Sequence, residues 1–284
     1  MTKLGEKKFA FEAIPGIFAQ SLPETDALAF DYLKDNMGLI VHDDTPLEKP
    51  WTRLTQYIEH LQATAPPGTF YKLIINGRHG QGFHNVAQAK HGTKVWDEEI
   101  SKQDELFDAH LTEIGVQQAL SANRFLREQF TKGLPAPESY IVSPLHRCLQ
   151  TAYLTYGDLD LPEDRPFKPL IKELLRECLG VHTCDRRSTR SVIHAAWPEA
   201  DIEPGFVEED LLWKPDHREI HEEHDIRMQA FLDDVFDNDK STVISLTSHS
   251  GSISCMLRVL GHRPFKPLTG AIMPLLVKAT RLDA

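Results

Sequence analysis

The sequence predicts an α/β protein, a three-layer sandwich with a mostly parallel central sheet and helices on both faces. Three observations indicate this fold. Short apolar runs rich in β-branched residues recur along the chain, segments with helical spacing separate them, and glycines or polar residues follow the runs. Strands that alternate with helices in this way are typical of a parallel sheet covered on both sides.

Four segments have the pattern of strands. They are residues 70–76 (FYKLIIN), 140–142, 242–247 (TVISLT) and 272–277. The first stops at Gly77, as expected for a buried strand that leads into a loop. Because ligands of parallel sheets bind outside the carboxyl ends of the strands, we expect the chemistry of this chain in the loops that follow them.

Four segments have the pattern of helices, namely residues 51–63, 112–129, 144–155 and 251–260. Thr112 is the predicted N-cap of the second helix. The apolar stripe of that helix is predicted to consist of Ile114, Ala119, Ala122, Phe125 and Leu126. These helices would supply the two outer layers of the sandwich.

The chain divides near residue 70. Residues 1–69 are predicted to form an N-terminal arm with one helix, packed on an α/β domain of residues 70–284. Prolines punctuate the arm, among them Pro15, Pro46 and Pro66, and only residues 51–63 have helical spacing. The arm contains neither a repeat nor a low-complexity tract.

Composition excludes several classes of partner. The 284 residues include 31 Lys and Arg against 42 Asp and Glu, so the net charge is −11. Binding to nucleic acid or to an anionic membrane relies on a surplus of cations, so we expect neither as a partner. The 14 histidines are the unusual feature, because imidazole can serve as nucleophile, acid, base or metal ligand near neutral pH.

The expected compartment is the cytoplasm, or also the nucleus. No run approaches 18 apolar residues, and the first 20 residues lack the apolar core of a signal peptide. The four cysteines, Cys148, Cys178, Cys184 and Cys255, include no CxxC pair, so we expect reduced thiols rather than disulfides or structural zinc.

Three predicted strand ends carry one constellation of polar residues. The first is followed by Arg78-His79-Gly80, the second by the segment 143–147 (SPLHR) and the third by 247–251 (TSHSG). The planar fork of arginine matches phosphate oxygens, and an imidazole can attack phosphorus. A single loop histidine is more often a solvated side chain, yet the joint pattern at three strand ends predicts a phosphoryl site.

These motifs resemble the histidine phosphatase superfamily, the clan of cofactor-dependent phosphoglycerate mutases and related phosphatases. The resemblance rests on RHG at 78–80, DAHLTEIGVQQA at 108–119, SPLHRCLQTA at 143–152 and His249, and it covers residues 70–280. The strings RHGQGFHNVA at 78–87 and LRECLGVHTCDRR at 175–187 look most like the plant and fungal group of branch 1 named phosphoglycerate mutase-like.

The sequence departs from two better-known groups of this superfamily. True mutases carry RHGxSxWN and a long segment after it, whereas the phytase branch carries RHGxRxP and a His-Asp pair where this chain has His249-Ser250. Both differences favour a general phosphomonoesterase. A phosphomutase stays open as the alternative, and a non-catalytic phosphate-binding protein stays open as a second.

The resemblance implies a role for each motif residue. His79 would be the nucleophile that forms a covalent phosphohistidine, and Arg78, Arg147 and His249 would hold the phosphoryl group, to which Asn85 would donate a hydrogen bond. The family also places a glutamate acid after the next strand. Glu177 is the preferred candidate and Glu173 the alternative. The resemblance implies neither a metal nor an organic cofactor.

Further candidate contacts lie around these residues. His84 and Ser250 neighbour the motifs and are predicted to bind substrate. The insertion at about 180–215 would cap the site, and within it His182, Arg186 and Arg187 are candidate contacts to the leaving group. A solvated basic turn is the competing interpretation of that cluster.

A second group of histidines could in principle bind a metal. His217, His221 and His224 would share one helix face, which is metal-ligand spacing in principle. That face continues through the apolar residues Met228 and Leu232, so we interpret the three histidines as packing or pocket-wall residues. The resulting hypothesis is a metal-independent phosphohydrolase for a small phosphomonoester, with its oligomeric state left open.

Overall fold

The computed structural model describes residues 6–40 and 49–282. Its centre is one sheet of seven strands in the order β1-β7-β2-β6-β3-β4-β5. The strands are β1 (Phe9–Ala13), β2 (Thr69–Arg78), β3 (Ser139–Val142), β4 (Pro169–Ile171), β5 (Asp201–Ile202), β6 (Val243–Ser248) and β7 (Ile272–Arg281).

Five neighbouring strands of the sheet are parallel. β2, β6, β3, β4 and β5 run in one direction, whereas β7 is antiparallel to both β2 and β1. The register pairs Arg78 with Ser248 and Val142 with Thr247, so the carboxyl ends of three strands stop at one level. The loops that leave this edge therefore start side by side, as the sequence predicts.

Helices cover both faces of this sheet. They are α1 (Asp35–Gly38), α2 (Pro50–Ala63), α3 (Phe83–Glu98), α4 (Glu113–Thr131), α5 (His146–Tyr156), α6 (Arg190–Ala196), α7 (His221–Asn238) and α8 (Ser250–Val259). Within residues 6–40 and 49–282, no helix combines the length and the apolar character that a membrane span requires.

Side chains alternate between two cores along β2. Ile74 packs in one cluster with Phe231 and Leu232 of α7 and with residues of α8. Its neighbours Leu73 and Ile75 belong to a second cluster on the opposite face, built with α2 and α4. A strand buried on both faces reads as a continuous apolar run, which explains why residues 70–76 signal a strand so clearly.

The predicted α/β sandwich is confirmed, with some differences in its parts. All four predicted strands and all four predicted helices are present, although the helix predicted from residue 144 begins at His146. The prediction that Ile114 belongs to the buried stripe of α4 is wrong, because its side chain lies on the outer face and is 58% exposed. Thr112 caps α4 as predicted, since its hydroxyl accepts the N–H of Gly115.

The N-terminal arm contributes to the sheet itself. β1 lies at the sheet edge and pairs with β7 over its whole length, from Phe9 opposite Arg281 to Ala13 opposite Val277. In the second core, Trp51 of α2 is fully buried and donates from its indole nitrogen to Gln129 of α4 at 2.9 Å. Residues 1–5 and 41–48 of the predicted arm, including Pro46, lie outside the described residues.

Two glycines bring α4 close to the loop after β2. A Cβ atom at Gly80 would lie 2.3 Å from the carbonyl oxygen of Gly115, and one at Gly115 would lie 2.1 Å from the carbonyl oxygen of Gln81. Only residues without a side chain allow backbones to approach so closely. The glycine of the segment 108–119 thus fixes the loop that carries the predicted nucleophile.

Candidate active site

The loops after β2, β3 and β6 bring the predicted site residues together. The ring of His79 lies 5.2 Å from the ring of His249 and 5.4 Å from that of His84, measured between centroids. All three imidazoles are buried, with at most 7% of each residue exposed. The structure therefore assembles one histidine cluster at the carboxyl edge of the sheet.

Hydrogen bonding sets the tautomer of His79. Its Nδ1 lies 2.7 Å from the carbonyl oxygen of Gly80, which can only accept, so Nδ1 carries the proton and Nε2 keeps its lone pair. Burial and the charges of Arg147 and Arg78 hold the pKa of His79 well below 6.5. The imidazole is consequently neutral at pH 7, which is the form that can attack phosphorus.

Two arginines flank this imidazole with unused donors. The side chain of Arg147 is fully buried and donates to the carbonyl oxygen of Cys184 at 2.5 Å and to Asp185 at 2.9 Å. Arg78 donates to the carbonyl oxygen of Pro267 at 3.0 Å. In the described structure, the Nε of each arginine is buried without an acceptor. Such orphaned donors are costly, and a bound anion would satisfy them.

His249 is held by Ser143, the residue after β3, and by Cys148 of α5. Its Nε2 lies 2.7 Å from the hydroxyl of Ser143 and 3.4 Å from the thiol of Cys148. Burial and the charge of Arg147 lower the pKa of His249 well below 6.5, so this ring is also neutral. The second imidazole is thus a rigid hydrogen-bonding group beside His79.

Glu177 lies at the N-terminus of α8. Its carboxylate accepts the backbone N–H groups of Gly251 and Cys178, both at 2.9 Å. A Cβ atom at Gly251 would lie 1.8 Å from this carboxylate, so only glycine permits the contact. The negative charge of Glu177 also opposes the effect of burial on the pKa of Arg78.

Glu173, the alternative acid, is occupied elsewhere. Its carboxylate accepts from Arg176 at 2.7 Å and from the Nε of Arg187 at 2.9 and 3.0 Å. The remaining N–H groups of Arg187 donate to the carbonyl oxygens of Ser188, Val207, Glu208 and Glu209. Arg187 is buried with its donors engaged, so the structure does not bring this predicted substrate contact to the site.

The other predicted cap contacts lie at the edge of the site. His182 is half-buried, 3.7 Å from the carboxylate of Asp97, and burial lowers its pKa. Arg186 is exposed, with its guanidinium 5.6 Å from the ring of Phe107 and 5.4 Å from that of Trp213. Both side chains reach solvent at the cap, in contrast to Arg187.

The other predicted substrate-binding residues, Asn85, His84 and Ser250, differ in their hydrogen bonds and burial. Asn85 accepts the N–H of Gly82 through its side-chain oxygen at 2.9 Å. His84 is buried, and its Nδ1 has no hydrogen-bond partner in the described structure. Ser250 begins α8 and, with Cys178 and Gly251, lines a cavity with a volume of about 440 Å³.

Three further residues of the sequence motifs, to which no role was assigned, form hydrogen bonds that hold the loops of the site. Thr151 accepts the N–H of Gly80 at 3.0 Å, and Gln118 accepts the N–H of Gln81 at 2.8 Å. Asp108 accepts the N–H of His146, the first residue of α5, at 2.8 Å. These contacts hold the loop after β2 and the start of α5 in fixed positions.

The second histidine group matches its prediction in part. His224 is buried, and burial together with neighbouring arginines lowers its pKa to about 2. His221 is exposed, yet it lines a cavity of about 440 Å³ together with His224, so these two are packing or pocket-wall residues as predicted. The prediction is wrong for His217, which is exposed, precedes α7 and lies 2.8 Å from the carboxylate of Glu223.

A different trio has donor atoms of metal-ligand type. Those of Cys178, Glu219 and His224 lie within 4.8 Å of one another. Arg227, however, already donates to both oxygens of the Glu219 carboxylate, at 2.7 and 2.6 Å. A cation would have to displace this buried guanidinium, so the contacts favour an ion pair over a metal site.

Sequence reasoning missed Asp185, which lies at the centre of the buried charges. The residue stands inside the segment 175–187, yet a carboxylate flanked by arginines looks like any surface turn. Its partners Arg147 and Arg218 are 38 and 33 residues away in the chain. Only the folded structure reveals that one carboxylate contacts both.

Several known proteins are similar to this chain. The family model "Histidine phosphatase superfamily (branch 1)" matches residues 86–274. A protein from Arthroderma benhamiae named "Probable phosphoglycerate mutase" is 46% identical over 97% of this chain and 86% of its own length. A "Phosphoglycerate mutase-like protein" from Arabidopsis thaliana is 32% identical over 67% of this chain and 75% of its own length.

A solved structure, that of a mycobacterial glucosyl-3-phosphoglycerate phosphatase, is 22% identical, with a TM-score of 0.41, over 68% of this chain and 84% of that one. The predicted similarity to the fungal and plant group is confirmed by the two sequence relatives. The match of the family model over most of the chain shows the family. This chain belongs to branch 1 of the histidine phosphatase superfamily.

Proposed function

We propose that the protein hydrolyses a small phosphomonoester through a covalent phosphohistidine on His79, without a metal. Membership of the superfamily supports a phosphoryl-transfer enzyme that acts on a small phosphorylated substrate. The observation that carries the proposal is the neutral His79, flanked by the buried Arg147 and the half-buried Arg78, whose Nε donors have no acceptor in the described structure. This arrangement suits a nucleophile facing a phosphoryl group.

The first step transfers the phosphoryl group to the enzyme. The lone pair of His79 Nε2 attacks phosphorus while the bond from phosphorus to the ester oxygen breaks. Glu177, in its protonated form, gives its proton to the leaving alkoxide oxygen. Arg78 and Arg147 stabilise the charge on the three equatorial oxygens, and His249 and Asn85 add hydrogen bonds.

The second step returns the enzyme to its starting state. The carboxylate of Glu177 removes a proton from water as the water oxygen attacks phosphorus. The bond from phosphorus to Nε2 of His79 breaks, which releases inorganic phosphate and regenerates the neutral imidazole. One carboxyl group thus acts as acid and then as base, and both steps balance in protons and electrons.

Transfer between two positions of one substrate is the second candidate. The names of the fungal and plant relatives favour it, since they contain "phosphoglycerate mutase". A mutase would pass the phosphoryl group from His79 to a sugar or glycerate hydroxyl instead of water. Net release of inorganic phosphate without a priming bisphosphate supports the hydrolase, and interconversion of phosphate isomers without release supports the mutase.

His79→Ala should abolish phosphate release from a chromogenic aryl phosphate while the circular dichroism spectrum stays unchanged. His110→Ala is the matched control, because His110 is exposed and stacks on His146 at the surface. The control should retain wild-type turnover. Turnover by His79→Ala, or loss of wild-type activity in EDTA, would contradict the proposed mechanism.

Glu177→Gln should slow esters of poor leaving groups far more than esters of good ones. An alkyl ester needs a proton on its leaving oxygen, worth about 10²- to 10⁴-fold, whereas a nitrophenolate leaves unaided. Glu173→Gln, which disturbs the pair with Arg187, should show no such dependence on the leaving group. The comparison is a plot of kcat/KM against leaving-group pKa, and equal slopes for both variants would exclude Glu177 as the acid.

The buried histidines predict how stability depends on pH. His79, His84 and His249 each have a pKa held well below 6.5, chiefly by burial, so the unfolded chain binds more protons below about pH 6.5. The free energy of unfolding should therefore fall with falling pH, by about 1.4 kcal/mol per pH unit for each histidine. In denaturant titrations between pH 6 and 5, His84→Asn should reduce the slope of the free energy of unfolding against pH by the contribution of one histidine. An unchanged slope would refute the lowered pKa of His84 in the folded protein.

A further inference from the structure

Asp185 is the carboxylate that joins the cap to the catalytic arginine. It ends a short 3₁₀ turn (Thr183–Asp185), and only 4% of its side chain is exposed. We propose that Asp185 is a positioning residue, which orients the guanidinium of Arg147 toward the phosphoryl group and couples it to the Glu177 loop. The proposal rests on the proposed function.

The hydrogen bonds of Arg147 show why it needs this partner. One oxygen of Asp185 accepts from Nη2 of Arg147 at 2.9 Å, and the carbonyl oxygen of Cys184 accepts from Nη1. Both acceptors come from the same turn of the cap and hold the two outer nitrogens. With these fixed, the plane of the guanidinium is set and the orphaned Nε stays in one orientation.

Charge supports the same assignment. Although burial disfavours the cation, the negative charge of Asp185 keeps the pKa of Arg147 above its ordinary value. Burial opposes the anion as well, yet Arg218 and Arg147 keep the pKa of Asp185 below its ordinary value. Each member stabilises the charged form of the other, and removing one side of such a buried pair is strongly destabilising.

The second oxygen of Asp185 extends this link to the acid. It accepts from Arg218 at 2.9 Å, and the same nitrogen of Arg218 donates to the carbonyl oxygens of Cys178 and Gly180, each at 2.8 Å. These two carbonyls lie in the loop immediately after Glu177. One carboxylate therefore connects the arginine that binds the phosphoryl group with the loop that carries the acid.

A positioning role and simple charge neutralisation predict opposite changes in phosphate affinity when Asp185 is replaced by asparagine. If Asp185 only offset positive charge, Asp185→Asn would raise the local potential and tighten the binding of inorganic phosphate. If it orients Arg147, the same change frees the guanidinium and weakens phosphate binding. The sign of the change in the phosphate inhibition constant thus separates the two roles.

Asp185→Asn should lower kcat for an aryl phosphate by about 10²-fold, because a small misplacement of a binding group is costly. The inhibition constant for inorganic phosphate should rise by about tenfold. Asp233→Asn is the matched control, since Asp233 is also buried and its carboxylate accepts the backbone N–H of Phe9 at 3.1 Å. It has no hydrogen bond or ion pair with Arg147, Arg218 or Arg176 in the described residues, and it should change thermal stability without changing phosphate inhibition.

Asp185→Glu covers the case in which the asparagine variant does not fold. It keeps the charge but moves the carboxylate by one methylene, so positioning predicts a lower kcat and weaker phosphate binding, whereas charge alone predicts wild-type values. Tighter phosphate binding by Asp185→Asn, or equal losses in Asp233→Asn, would overturn the proposal. An inactive wild-type protein would instead refute the proposed function, so the two failures are distinguishable.

Discussion

Burial of positive charge beside unprotonated imidazoles is the constraint on which the site depends. Arg147 is fully buried and Arg78 half-buried, and burial together with the charge of Arg147 keeps the pKa of both His79 and His249 well below 6.5. Buried cations require partners, and here these are Asp185, Glu177 and backbone carbonyls. In the described residues the Nε donors of Arg78 and Arg147 have no acceptor, and an anion bound between them would satisfy both.

The need of buried arginines for partners also ties the cap segment to the rest of the protein. Arg176 pairs with Asp210 and Glu173, and Arg187 binds Glu173 together with carbonyls of the cap. β5 of the cap adds a strand to the sheet edge beside β4. The insertion is therefore tied to the sheet by buried ion pairs, and Arg176 also donates to the backbone carbonyl oxygen of Asp185 at 2.6 Å.

Local patterns predicted the central parts of this fold, and long-range contacts decided the rest. The apolar run of β2 and the loops after β2, β3 and β6 led directly to His79, Arg147 and His249, because parallel strands end at one edge. Strands β4 and β5 have only three and two residues, too few for a readable pattern. Ile114 fits a helical stripe yet is exposed, and Asp185 gains its meaning only from partners distant in sequence.

Trapping of the covalent intermediate tests the central claim most directly. The protein would be mixed with a phosphate ester, quenched in alkali, which preserves acid-labile phosphohistidine, and mapped by mass spectrometry of its peptides. The mechanism predicts one phosphoryl group on His79, formed within a single turnover and absent in His79→Ala. Phosphate on another residue, or rapid turnover with no phosphorylated protein, would contradict it.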